Sequence, residues 1–184
     1  MTNGKGQLTT DQSSEFPSGV AEHKAEAPRT LRCAVVTVSD SRTLETDTGG
    51  GAVVELLTAA GHVAAARHII PDEPRRMRAL LTELVARQDV DAVLLTGGTG
   101  ISRRDQTYET VRQMLTKEVP GYGELFRWLS HQEIGPAAML SRAVGGLIGA
   151  KVVLTMPGSP AGVRLAMEKI ILPELGHLVR EARK

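Results

Sequence analysis

The stretch Thr96 to Thr107, TGGTGISRRDQT, concentrates residue types that handle anions. It follows a short apolar run and precedes a helix-forming segment. Glycines there allow positive φ and close approach of a ligand, while backbone N–H groups and a helix amino end attract phosphate. Gly97, Gly98, Thr99 and Gly100 are therefore a candidate phosphate loop. The pattern is neither the dinucleotide G-x-G-x-x-G nor the Walker G-x-x-x-x-G-K-[ST], so neither nucleotide fold has its main sequence support. A tight turn without a ligand is the plainer reading, but it leaves Arg103-Arg104-Asp105 unexplained. Arginine can neutralise phosphate, and Asp105 can hold Mg2+.

Other candidates share one position, the end of a strand. Asp72, in IIPDE, stands at a strand-to-helix junction, where an isolated acid is more often an N-terminal helix cap. In a doubly wound sheet the carboxyl ends of the strands line one crevice, so Asp72 and Asp105 could converge there as a metal-nucleotide site. Thr37-Val-Ser39-Asp40 and Met156-Pro157-Gly158-Ser159-Pro160 put small polar residues and glycine at equivalent places, although each can also form a turn or start a helix. Ser141-Arg142 precedes another strand. Its hydroxyl and guanidinium could complete a phosphate pocket or serve structural hydrogen bonds equally well.

The elements that must position these residues alternate short β-branched runs with longer amphipathic segments, the pattern of an α/β domain with a mostly parallel sheet. Strands are expected at about Arg32–Val38, His62–Ile70, Asp91–Thr96, Ala143–Ile148 and Val152–Met156. Helices are expected at about Ala52–Ala60 with Gly61 as its C-cap, Arg75–Gln88, Thr107–Thr116, Tyr122–Ile134, and from Pro160 onward, with Pro173 bending or restarting the last. Met77, Leu80, Leu81, Leu84 and Val85 share one helix face and predict core. Tyr122, Phe126 and Trp128 could stack on a ligand, but packing is the favoured reading.

With 184 residues, 41% of them hydrophobic, the chain can bury one ordinary core. Residues 1–29 are polar with one aromatic, Phe16, and are expected to form a flexible tail ahead of a single domain over 30–184. Lys plus Arg number 22 against 21 acids, and aromatics make up 3%. That balance gives no general grip on nucleic acid or anionic lipid. Arg75, Arg76 and Arg78 fit a solvated helix face. The single cysteine, Cys33, lies in an apolar strand and reads as core, so no internal disulfide framework forms. No run approaches the ~20 apolar residues of a membrane span, which makes the cytoplasm the expected compartment.

Taken in order, TVSDSR, DTGG, IIPDE, TGGTGISRRDQTYE, VPGYGELFRWLS, IGPAAMLSRA and MPGSPAG resemble the MoaB/Mog family of molybdenum-cofactor biosynthesis proteins, related to the pterin-binding domain of gephyrin-type proteins. The resemblance runs from about Leu31 to Leu178. It implies a doubly wound three-layer α/β domain that assembles as a homotrimer or homohexamer, and an enzyme that adenylylates molybdopterin with Mg2+ and ATP. Asp72 and Asp105 match the two acids tied to adenylyl transfer. Gly97, Gly98, Thr99 and Gly100 match the phosphate loop, and Ser39, Asp40, Ser141, Pro157, Gly158 and Ser159 match positions lining the pterin and nucleotide crevice. Arg104 could approach the triphosphate or point into solvent. Gly49 stands where many relatives have Ser, and Tyr108 where many have Pro. Non-catalytic pterin binding and insertion of molybdate into an activated pterin remain the alternatives, the second usually belonging to larger relatives.

Overall fold

The computed structural model describes Pro28 and residues 30–184; the expected flexible tail over residues 1–29 lies, apart from Pro28, outside the described residues. Six strands form one sheet: β1 (Arg32–Val38), β2 (Val63–Ile70), β3 (Ala92–Thr96), β4 (Lys117–Glu118), β5 (Gly145–Ile148) and β6 (Lys151–Met156), in the spatial order β2-β1-β3-β6-β5-β4. The first four positions are parallel, and β5 runs antiparallel to both β6 and β4. Helices α1 (Thr48–Ala59), α2 (Pro74–Ala86), α3 (Thr107–Met114), α4 (Pro120–Ile134), α5 (Pro160–Ala166) and α6 (Leu172–Ala182) cover both faces.

Strand alternation divides the core in two. Cys33, Val35, Leu94, Leu154 and Met156 face α1, α4 and the closing helical segment, whereas Ala34, Val36, Val93, Leu95 and Val153 face α2 and α3. This is the expected doubly wound, three-layer α/β architecture. Met77, Leu81 and Leu84 are buried as the periodicity of α2 requires, while Arg75, Arg76 and Arg78 face solvent. Cys33 is fully buried, and burial, with the Asp91 charge behind it, pushes its thiol up to about 12. Tyr122 and Phe126 are core, and Tyr122 donates its hydroxyl to the Thr155 carbonyl at 2.8 Å; Trp128 is exposed.

Several boundaries differ from expectation. Helix α1 begins at Thr48, four residues before Ala52, because the Asp47 carboxylate caps it by accepting the Gly50 N–H. Its C-cap is Ala60 rather than Gly61, and Gly61, at φ +80°, follows as the left-handed residue that stops the helix. The closing helix is α5, a π turn over Met167–Ile171, and α6, with the Leu172 N–H bonded to the Met167 carbonyl. Pro173 lacks an N–H, so the widened turn falls where the regular ladder would lose a donor. Among the described residues no helix is long and apolar enough to cross a membrane.

Candidate functional site

Strand order reverses between β1 and β3, so the loops leaving their carboxyl ends diverge and open a crevice. Gly97 and Gly98 follow β3 with φ of +99° and +64°. A Cβ on Gly97 would lie 2.3 Å from the Val38 carbonyl oxygen, one on Gly49 3.0 Å from that of Gly158, and one on Gly158 3.3 Å from the Gly97 Cα. Three loops thus meet backbone to backbone: a side chain is excluded outright at Gly97, and at Gly49 and Gly158 it would have to push a neighbour aside. On one side of this junction lies a cavity of about 400 Å3 against Gly97–Gly100, Asp105, Ser141 and Pro157–Ser159. On the other lies a cavity of about 210 Å3 against Thr37, Ser39, Arg42, Asp47, Gly49 and Thr96; Gly97 and Gly158 border both. The larger volume suits a small-molecule ligand.

The two acids singled out from sequence come to the same turn. A Cβ on Gly98 would stand 2.3 Å from an Asp72 carboxylate oxygen, and one on Gly100 would stand 2.7 Å from an Asp105 carboxylate oxygen. Asp72 is 5% exposed, and both its carboxylate oxygens accept the Gln106 N–H at 3.1 Å. It does not cap α2, whose N-cap is Glu73; its carboxylate serves the residue before α3 instead. Burial pushes the Asp72 carboxyl up; the Gln106 N–H opposes this and the Asp105 charge adds to it. The Asp105 carboxylate accepts the Ser102 N–H at 2.9 Å.

The remaining candidates divide by role. Asp40 takes both ends of the Arg104 guanidinium at 2.7 Å and also accepts the Asp72 N–H at 3.2 Å, so Arg104 is engaged by an acid of the β1 loop, and its hydrogen bonds hold the Asp40 carboxyl below the usual range. Ser39 closes its own turn by accepting the Ser41 and Arg42 N–H groups. Ser159 caps α5 by accepting the Gly162 N–H, and the Pro157 carbonyl accepts the Thr96 hydroxyl at 2.8 Å. Thr99 is buried, and its carbonyl accepts the Arg142 N–H. Among the described residues two hydroxyl oxygens, Ser141 Oγ and Thr107 Oγ1, are buried without a partner, the first on the larger cavity and the second 2.1 Å from where a Gly98 Cβ would stand. None of His62, His68 and His131 lines either cavity.

Asp47 escaped the reading of candidate site residues. It is 4% exposed and accepts the Thr37 hydroxyl at 2.8 Å, the Gly50 N–H at 2.9 Å and the Arg67 guanidinium at 2.9 Å. Burial would raise its carboxyl, but these donors outweigh burial and lower it. The available signal was an Asp ahead of Thr-Gly-Gly, an N-cap signature.

Asp72 and Asp105 suit a Mg2+ ion that keeps phosphate oxygens among its ligands: Mg2+ is commonly held by one or two carboxylates plus substrate phosphates. Among the described residues no cluster of three or more His, Cys, Asp or Glu side chains forms an all-protein cage. The unpartnered Thr107 oxygen adds a further polar group beside the same glycine.

A doubly wound α/β domain with a glycine-lined crevice and paired acids at its strand ends defines the class of protein. Residues 34–177 match the family model described as "Probable molybdopterin binding domain", and the chain belongs to this family. It is 51% identical to molybdenum cofactor biosynthesis protein B of Halalkalibacterium halodurans over 90% of this chain and 98% of that protein. Against the Bacillus subtilis protein of the same name identity is 49%, with the same coverage. A solved structure of a molybdenum cofactor biosynthesis protein B superposes with a TM-score of 0.83 at 51% identity, covering 86% of this chain and 99% of the other. The tungsten cofactor synthesizing protein MoaB of Pyrococcus furiosus gives 0.77 at 35% identity, covering 86% and 100%.

Proposed function

We propose that this chain acts in molybdenum cofactor biosynthesis by adenylylating molybdopterin with Mg-ATP. A terminal phosphate oxygen of molybdopterin attacks the α-phosphorus of ATP. A new P–O bond forms, the bond to the β-phosphate breaks, and pyrophosphate leaves with its electron pair. The nucleophile is already ionised at neutral pH, so no strong base is needed, in keeping with cavities that no described histidine lines. The single observation carrying this reading is the contact of both Asp72 and Asp105 with the Gly98–Gly100 turn.

The turn's amides would take phosphate oxygens, and Ser141, Pro157, Gly158 and Ser159 would line the pterin side. Asp72 and Asp105 would hold Mg2+, which when bound offsets the charge gathered by two polyanions. We further read the protein as cytoplasmic and as a homotrimer or homohexamer; the large apolar side chains it exposes, Trp128 and Met139 among them, support self-association.

The second reading is a non-catalytic pterin-binding or carrier protein. The Asp40–Arg104 pair favours it, because it engages a guanidinium that would otherwise be free for a triphosphate. Pyrophosphate release from ATP plus molybdopterin separates the two. The enzyme reading expects release by the native protein and at least a ~100-fold lower rate in Asp105→Ala with pterin binding retained. Pterin binding without release by the native protein leaves the carrier reading, and full turnover by Asp105→Ala overturns the role given to that acid.

A further inference from the structure

One side chain outside the glycine turn reaches both of its limbs. Arg142 lies between the 3-10 turn Gly135–Leu140 and β5. Its guanidinium donates to the carbonyl of Gly100 and, at 3.1 Å, to that of Asp105, while its backbone N–H donates to the Thr99 carbonyl at 3.3 Å. The intervening residues 101–104 are exposed. The other nitrogen of the fork is paired with the Glu109 carboxylate, and the Tyr108 ring centre lies 5.2 Å from the guanidinium carbon. Tyr108 also carries Arg112 at 5.9 Å.

The chemistry follows from peptide geometry. In a trans peptide the C=O and the N–H of the next residue point in opposite directions. Carbonyls of Thr99, Gly100 and Asp105 that face Arg142 therefore turn the amides of Gly100, Ile101 and Gln106 away from it. For Gln106 the far end is visible: its N–H goes to the Asp72 carboxylate. A single peptide plane thus links Arg142 to one acid, and the other acid is the side chain of the residue that supplies the carbonyl.

We propose that Arg142 is a positioning residue that sets the Asp72–Asp105 spacing and the amide directions of the Gly98–Thr107 loop, and is itself aimed by Glu109 and Tyr108. The role in turnover rests on the adenylyl-transfer reading of the site; the mechanical role does not. Lysine cannot bridge two carbonyls and a carboxylate with a planar fork, so charge alone does not replace it.

The test uses the full chain with Arg142→Ala, Arg142→Lys, Asp105→Ala and the double variant Arg142→Ala/Asp105→Ala. Arg142→Ala lowers kcat for pyrophosphate release ~100-fold, the scale of a misplaced catalytic group, with KM for molybdopterin little changed. Arg142→Lys fails to restore it. Because Arg142 acts in part through Asp105, the double variant loses less than the product of the two single losses. Hydrogen exchange of the native protein against Arg142→Lys, which keeps charge and bulk should Arg142→Ala fold poorly, reads the mechanics directly: exchange accelerates in the segment 98–107 and not across β1 or β3. Near-native kcat in both single Arg142 variants, or losses that multiply in the double variant, overturn the catalytic part. If the native protein releases no pyrophosphate, the adenylyl-transfer reading fails by itself, and exchange decides the mechanical claim: unchanged protection of 98–107 overturns it.

Discussion

Two acidic nodes occupy the same end of one sheet, each beside glycines at a strand-to-helix junction, yet they are wired differently. At the first, Asp47 accepts a hydroxyl, an amide and a guanidinium, and its charge is matched by Arg67. At the second, Asp72 has one amide for two oxygens, Asp105 has an amide from its own loop, no cation is bonded to either carboxylate among the described residues, and the Thr107 hydroxyl oxygen beside them has no partner. The first carboxylate is held below its ordinary range, and the Asp72 carboxyl is pushed above it. The difference teaches that residue type and strand-end position do not by themselves say how an acid is satisfied. What separates the two nodes is whether the protein itself completes the coordination, and on the proposed reading the second is left for a ligand to complete.

The largest expected effect comes from crowding the second node. Gly98→Ala would force a side chain into φ +64° and into both Thr107 Oγ1 at 2.1 Å and Asp72 at 2.3 Å. Adenylyl transfer should fall by more than ~100-fold. Gly121→Ala, in α4, meets nothing within 4 Å and serves as the neutral control. Equal turnover in the two variants would break the assignment of function to the second node.

Removing charge at the first node should act on stability. Asp47→Asn loses the ion pair with Arg67 and one acceptor while keeping an amide oxygen, and because Arg67 is 27% exposed the full cost of a buried pair is discounted to about 2 kcal/mol. The pH dependence has a fixed sign. The folded carboxyl is lowered from 3.8, so its stabilisation is complete above that value and is lost as pH falls below it through the folded one. Denaturant midpoints of native protein and Asp47→Asn should therefore stay separated from neutral pH to about pH 5 and converge in stronger acid. A gap that widens on acidification would show that Asp47 is not the satisfied acid described.

Much of this was legible in the chain, and the gaps share a cause. Continuous apolar runs placed β1 and β3 within a residue, and periodicity put Met77, Leu81 and Leu84 in the core. The glycine turn and both acids of the second node were readable because strand ends in such a sheet converge. Helix α1 starts earlier than expected because the Asp47 cap draws Gly49 and Gly50, poor helix formers, into its first turn, and Gly50 must be glycine there because Thr37 and Asp47 approach it closely, a tertiary demand that overrides propensity. Strand β4 has two residues, too few for alternation to register. Asp47 as a node was hidden because Arg67 reaches it from β2, where it pairs with Val35. The target of Arg142 was hidden because it lies more than thirty residues away, at Glu109, Asp105 and Gly100. Local pattern fixes elements, whereas partner counts depend on register and side-chain direction across the fold.

The smallest expected change in stability, and the most discriminating, concerns Asp72. If its carboxylate is kept buried for a ligand, its charge costs stability in the free protein, because desolvation dominates and the Gln106 amide offsets only part of it. Asp72→Asn retains an oxygen to accept that amide and removes the charge, so its thermal midpoint at neutral pH should equal or exceed that of the native protein while adenylyl transfer is lost. The isosteric change at Asp47 has the opposite sign, since there the charge is matched. A drop in midpoint for Asp72→Asn as large as that for Asp47→Asn would mean that both acids are structural, and the distinction between the two nodes would collapse.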